Sequence, residues 1–178
     1  MDIQKSLKDA VDIAMLKEPV MNKVALDKEA LTPALMILGA AGLICAIGAY
    51  IFPTHGGFGG YILYRPSMAF VLEQAIITFA LGVALLCLTG YLAERFFESK
   101  ISMKSFVAVM GHANVVSVIG FISSLSIISG IWGLIILWNF LTKVAKMDPK
   151  NVIILIVIDV VIVLLGASAY AGTMMIGM

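Results

Sequence analysis

Charge is the first thing this sequence lacks. Only 13% of its 178 residues are Asp, Glu, Lys or Arg and 61% are hydrophobic, whereas a water-soluble domain carries about a quarter charged residues. A water-soluble globule is excluded on that ground. Charge of one sign is missing too: twelve Lys and Arg meet eleven Asp and Glu, a net of +1, so no basic excess argues for a nucleic-acid partner. Cysteine is almost absent. Cys45 and Cys87 both lie in apolar runs, where a thiol behaves as a small hydrophobe. Neither a disulfide framework nor a CxxC metal spacing exists, and the redox compartment cannot be read from them. No Ser-His-acid order, HExxH, paired cytoplasmic carboxylates or Walker motif occurs. No catalytic residue, metal or cofactor is therefore expected, and an enzyme is the least supported class.

What the chain has instead is long apolar runs, the mark of a helical membrane protein. Residues Pro33 to Phe52 carry no charge and are long enough for a ~30 Å hydrocarbon core. Ser67 to Ala93 is interrupted only by Glu73 and Gln74, and Asn151 to Gly172 only by Asp159. Ser105 to Thr142 runs 38 residues without Lys, Arg, Asp or Glu, and as one helix it would extend ~57 Å. The cations decide how that run is divided. With a hairpin inside it, eleven of the twelve Lys and Arg fall on one side and only Arg65 on the other. The positive-inside rule then predicts an all-α bundle of five transmembrane helices, N-terminus cytoplasmic and C-terminus outside. The expected spans are 33–52, 67–93, 105–122, 126–142 and 151–172, with the hairpin turn between Ser123 and Gly130. The hairpin helices would be short, so that one is tilted or partly sunk. The first apolar run is too far along and too long for a cleavable signal peptide.

Helix-start signals agree with this division. Thr32-Pro33 and Asp148-Pro149 each offer a capping residue before a proline, and Ser67 and Ser102 offer caps as well. Ahead of the first span, residues 1–32 form a cytoplasmic segment. There Ile3, Leu7, Ala10, Val11, Ala14 and Met15 recur at helical spacing opposite Lys5, Lys8, Asp9, Asp12 and Lys17, and Pro19 is expected to end the helix. Such a helix lies on the leaflet, with Ile3, Leu7, Val11 and Met15 toward lipid, or packs on the protein's own loops. In the first span Gly39, Gly42, Ala46 and Ala49 make a stripe of small residues suited to close helix packing, within the bundle or against a second copy.

Polar residues inside the spans are the places where chemistry could reside. An aspartate near a helix centre costs about 2.5 to 3.5 kcal/mol on insertion scales, which singles out Asp159. Counted from the cytoplasmic ends, Asp159 lies ~12 Å deep and His112 and Asn114 ~10 to 14 Å deep, so Asp159 is expected to face His112 or Asn114. The cluster is either a proton or ion relay or an interhelical hydrogen bond. Glu73 and Gln74 sit where snorkelling is possible, and Asn139 beside Trp138 reads as interfacial. His55 and the Gly56-Gly57-Phe58-Gly59-Gly60 run read as a flexible outer loop without a metal or phosphate site. Phe58, Tyr61 and Tyr64 there can supply an aromatic belt.

The order of these features resembles the Ypt-interacting-protein (Yip) domain family, particularly its divergent bacterial and archaeal members. Three stretches carry the resemblance: Lys17-Glu18-Pro19 with Asp27-Lys28-Glu29-Ala30-Leu31, Gly90-Tyr91-Leu92-Ala93-Glu94-Arg95-Phe96-Phe97 followed by Ser102-Met103-Lys104-Ser105-Phe106, and Ile131-Trp132-Gly133-Leu134-Ile135-Ile136-Leu137-Trp138-Asn139-Phe140-Leu141. It departs where the family often has a glycine pair, here Glu98-Ser99-Lys100, and where the third helix reads Gly111-His112-Ala113-Asn114 without the family's tyrosine and proline. The resemblance implies five spans, a non-enzymatic role as membrane organiser, scaffold or partner-binding subunit, and a protein partner or self-association besides the lipid bilayer. Eukaryotic relatives bind Rab-type GTPases, a partner possible here by family resemblance only, since nothing in residues 1–32 marks such a site. The alternative is a small proton- or ion-coupled transporter using Asp159 and His112. The prokaryotic flavour of the resemblance favours the cell membrane over an endomembrane.

Overall fold

A computed structural model describes residues 2–51, 67–122 and 125–176, the side chains of 49, 74 and 166–176 excepted. The regular structure among the described residues is all helical, without a strand. In chain order the helices are α1 (Ile3–Ala14), α2 (Glu18–Leu26), α3 (Leu31–Ile51), α4 (Met68–Phe96), α5 (Met103–Ala113), α6 (Ser126–Asn139) and α7 (Pro149–Ile176). A 3-10 segment, Asn114–Phe121, continues α5, and a π segment, Phe140–Val144, continues α6.

Most helix starts have the caps their sequences offer. Ser67 Oγ accepts from Phe70 N–H at 3.2 Å, Ser102 Oγ from Ser105 N–H at 3.2 Å, and Asp148 Oδ1 from Lys150 N–H at 2.8 Å. Thr32 does not cap α3. That helix starts at Leu31, and Ala34 N–H already donates to Ala30 O. Pro19 also plays a different part from the one expected. α1 stops at Ala14, Leu16 turns the chain with a φ of 62°, and Pro19 sits in the first turn of a further helix, α2. Proline fits there because its missing N–H would have no helical partner. α2 is then held to α1 by Lys23, whose Nζ donates to both carboxylate oxygens of Asp9 at 2.9 and 3.0 Å.

Four helical runs among the described residues are long and apolar enough to cross a bilayer: Leu31–Gly48, Met68–Phe96, Met103–Phe121 and Ser126–Val144. The 38-residue uncharged run is indeed divided. It turns back between Phe121 and Ser126, where Leu125 N–H donates to Ile122 O at 2.8 Å; residues 123–124 lie outside the described set. The shortness expected of the first of these two helices is relieved by its 3-10 half. A 3-10 helix rises ~2.0 Å per residue against 1.5 Å for α, so Met103–Phe121 reaches about 32 Å. Asn114 marks the change of pitch: its side-chain amide donates to Met110 O at 3.1 Å, and its side-chain oxygen accepts from Ser117 Oγ at 3.1 Å. Such local bonds compete with the α ladder. The Ser117 carbonyl accepts instead from Cys45 Sγ on α3, at 2.9 Å.

α5 is the centre of the molecule. Every residue from Phe106 to Ala113 is buried, with α1, α2, α3 and α4 packed around it. The core runs on through Phe140, Leu141, Val144 and Ala145 into Val152 and Leu155 of α7, and the Phe106 and Phe140 rings meet at 5.8 Å. Ile13, Met21, Val24 and Ala25 belong to the same core, so α1 and α2 are built into the bundle. The loop after α4 and the loop before α7 are tied together by Lys100 N–H donating to Ala145 O at 3.1 Å, and α2 packs on the π segment between them. One end of the bundle therefore gathers the N-terminal helices and both of these cation-bearing loops. Away from that end the helices turn large apolar side chains outward, among them Ile76, Leu81, Val157 and Leu164.

Candidate functional site

Two polar sites are built into this bundle, and the structure assigns the three intramembrane polar residues differently from the sequence expectation. Asp159, 8% exposed on α7, accepts a hydrogen bond from Thr89 Oγ1 on α4 at 2.7 Å, and Thr89 is 2% exposed. His112 lies on α5, its Nδ1 bonded to Ala108 O at 2.8 Å one turn back, and Asn114 bonds within its own chain segment as described above. Among the described residues no hydrogen bond links Asp159 to His112 or Asn114. The reason is helix order: α7 packs on α4 and the π segment, while α5 is sheathed by α1 to α4. Equal depth placed these residues at one level of the bilayer but not on facing helices. Depth counting did not single out Thr89: it lies ~10 Å from the end of α4, against ~15 Å for Asp159 from the start of α7 at Pro149.

His112 faces a polar chamber instead. The chamber is open to the surface, has a volume of 100 Å³ and is formed where α1, α2, the start of α3 and α5 converge; the exposed Asp2, Lys5, Asp27 and Glu29 and the half-buried Asp9 line it above His112. Each acid arrives there for a local reason. Asp2 is the N-cap of α1, accepting from Lys5 N–H at 3.1 Å. Asp9 is turned inward on α1 to meet Lys23. Asp27 closes the turn between α2 and α3, its Oδ1 accepting from Glu29 N–H at 2.9 Å. His112 itself is 2% exposed. Because Ala108 O can only accept, Nδ1 carries a proton, and in the neutral form of the ring the lone pair falls on Nε2, for which no hydrogen bond is found among the described residues. Sequence reading missed this site, since nothing in the spacing shows that residues 2–29 fold back over α5.

The remaining candidates fall as follows. Ile3, Leu7, Val11 and Met15 stand out from α1, 44 to 63% exposed, while Ala10 and Ile13 on its other side are fully buried. Trp132 of α6 donates from Nε1 to Ala14 O at 2.9 Å, pinning the end of α1 to the bundle. On α3, a Cβ at Gly39 would touch the Phe79 ring at 3.5 Å and one at Gly42 would meet nothing within 4 Å. Ala46 is half-buried, and the Ala49 side chain lies outside the described set. The closest approaches are elsewhere. A Cβ at Gly48 would collide with the Phe121 carbonyl, and one at Gly111 would come within 2.9 Å of Ala34 Cβ. Glu73 is exposed, and Asn139 donates to Ile135 O at 2.9 Å. The Gln74 side chain, His55 and the glycine-rich loop lie outside the described residues. Among the described residues no group of His, Cys, Asp and Glu is arranged to hold a metal.

The Yip1 domain pattern matches residues 13–171. The chain belongs to the Yip1 domain family. As a Yip1-domain protein it is a multi-pass membrane protein, its outward apolar faces in contact with lipid, in a family that is generally non-enzymatic. No curated protein and no solved structure matches the chain. The matched region takes in α2 to α5, α6 and the part of α7 that carries Asp159. Residues Asp2 to Asp12, which provide the α1 wall of the His112 chamber, precede it.

Proposed function

We propose that this Yip1-domain protein is a non-enzymatic membrane organiser or partner-binding subunit that holds an amphipathic helix, α1, in the cytoplasmic leaflet of the cell membrane. The observation that carries this reading is the two-sidedness of α1. Ile3, Leu7, Val11 and Met15 stand exposed at every fourth residue while Ala10 and Ile13 are fully buried against the bundle. An unpartnered apolar stripe on a helix whose other side is fixed fits the lipid boundary, where such helices bury ~5 to 10 Å deep. In this reading α7 is a fifth span, the N-terminus is cytoplasmic and the C-terminus outside. The gathering of the N-terminal helices and two cation-bearing loops at one end of the bundle supports that topology. Transport through an Asp159–His112 pair is not favoured, since each group has a different partner.

Single cysteines introduced into a Cys45→Ala/Cys87→Ala background test the reading in sealed vesicles. Cysteines at Lys100 and Lys146 are expected to react with a membrane-impermeant thiol reagent from the cytoplasmic face, and one at Gly59 from the opposite face. A spin label at Val11 is expected to be shielded from water-soluble relaxants and reached by oxygen dissolved in lipid. Labelling of Gly59 and Lys100 from the same face sinks the topology, and a water-exposed Val11 sinks the leaflet helix. Co-purification in mild detergent addresses the role: a stoichiometric partner or a second copy is expected, whereas proton conduction by the purified protein in liposomes would replace this reading by transport.

A further inference from the structure

The polar chamber around His112 opens beside an apolar cleft, and the two share Ser6 and Pro33 as common walls. The cleft has a volume of 290 Å³, at the small end of the ~300 to 1,000 Å³ typical of small-molecule sites, and runs along α3 between the start of α1 and the 3-10 segment. Ile3, Leu7, Met36, Ala40, Ile44 and Val118 line it. Ile3, Leu7, Met36, Ala40 and Val118 are exposed, so the cleft opens sideways where α3 enters the bilayer. An apolar slot joined to a polar chamber at that level has the form of one phospholipid, chain in the slot and head group in the chamber.

The chemistry of the chamber selects the head group. It is lined mostly by acceptors: Glu29 and the second carboxylate oxygens of Asp2 and Asp27, all on exposed residues, and at its floor Nε2 of His112, a residue 2% exposed. Asp9 is shared with Lys23. The cation among its lining residues is Lys5, whose ammonium has no partner among the described residues. Acceptors beside one free cation complement an ammonium with a phosphate next to it. An anionic head group without an amine would set its charge against four carboxylates, and a trimethylated amine has no N–H to donate.

We propose that the paired cleft and chamber bind one aminophospholipid, phosphatidylethanolamine in type, with the ammonium on Asp27, Glu29 and His112 Nε2, the phosphate at Lys5, and an acyl chain along α3. This deepens the leaflet reading of α1, on which it rests, by naming a lipid class held at that helix. The α1 wall of the site, with Lys5, precedes the Yip1-matched region, whereas Asp27, Glu29, His112 and the α3 wall lie within it.

The test uses the full chain, purified in mild detergent and mixed with equal amounts of phosphatidylethanolamine, phosphatidylglycerol and phosphatidylcholine of distinct mass. Retained lipid is read by native mass spectrometry. One phosphatidylethanolamine is expected to be retained about tenfold over either competitor, the size of one charge-assisted hydrogen bond. The isosteric double variant Asp27→Asn/Glu29→Gln should bring that ratio close to one. Ala40→Phe, which fills the cleft, should lower retention of all three lipids. Equal retention by the wild-type chain overturns the proposal, as does a preference that survives the double variant. Failure of the leaflet reading shows separately, as a water-exposed label at Val11, which lines neither cavity.

Discussion

Replacing Thr89 by Val and Asp159 by Leu, singly and together, measures how far one hydrogen bond couples α4 to α7. Thr89→Val keeps the side-chain shape but removes the donor, leaving a carboxyl group 8% exposed with its 2.7 Å partner gone. Stranding a buried acceptor costs about 1 to 3 kcal/mol. Asp159→Leu leaves the Thr89 hydroxyl behind, but a helical threonine can turn back to the carbonyl four residues earlier, so its single cost is smaller, about 1 kcal/mol or less. The double variant replaces both partners by apolar groups and should fall close to the wild type. The single costs should therefore exceed the double by about 1 to 4 kcal/mol, at or above the ~0.6 to 2 kcal/mol range for interhelical hydrogen bonds in membranes. Reversible unfolding of the four proteins in mixed SDS micelles provides the cycle. If the single costs add to the double within about 0.3 to 0.5 kcal/mol, the scatter of independent sites, the bond does not hold these helices together and the structural role assigned to Asp159 fails. Asp159→Asn in liposomes gives the complementary check. A chain that folds unchanged yet loses a proton flux the wild type shows would move Asp159 from packing to a relay.

Four further substitutions probe the packing and one helix cap. Gly48→Ala should destabilise the bundle by about 1 to 3 kcal/mol, because its methyl group meets the Phe121 backbone, which cannot swing aside, whereas Gly42→Ala should change thermal stability little, having nothing within 4 Å to meet. Phe106→Ala should cost about 3 to 5 kcal/mol, read as a lowered detergent-unfolding midpoint, since it empties the contact with Phe140 at the end of the bundle where α1, α2 and the loops converge. Ser102→Ala should cost about 1 kcal/mol and raise amide exchange at Ser105, whose N–H loses its acceptor; the neighbouring Met103 N–H should stay protected by Glu94 Oε2 at 2.6 Å.

How much of the site was legible beforehand depends on what kind of information each residue carries. The caps at Ser67, Ser102 and Asp148 could be read because a cap is made within three residues of its helix. The turn back after Phe121 could be read because a misplaced cation is expensive, so Lys143, Lys146 and Lys150 report the side to which the chain returns. Asp159 could be recognised as a buried acid from its apolar surroundings, but its partner could not. Depth is a one-dimensional coordinate, and several helices pass through each level. The acids around His112 were illegible for a stronger reason: Asp2, Asp9, Asp27 and Glu29 sit in a segment that reads as a solvated, charged face. Only the left-handed turn at Leu16 and the return of α2 over α5 bring them above that ring.

Composition and charge order by themselves determined that the chain is a helical membrane protein and that its uncharged 38-residue run folds back, and local sequence supplied the caps at Ser67, Ser102 and Asp148. Those properties follow from transfer free energy and local hydrogen bonding, which each segment carries with it. The tertiary structure alone decided which helices are neighbours, and through that everything specific to the site. It gave Thr89 to Asp159, set α5 at the centre, stretched the run to Phe121 into a 3-10 helix, and folded the N-terminal helices into the core. Between apolar helices in lipid no large hydrophobic difference separates one neighbour from another. The choice falls to close fits such as Gly48 on Phe121 and Gly111 on Ala34, which exist only once the helices are packed.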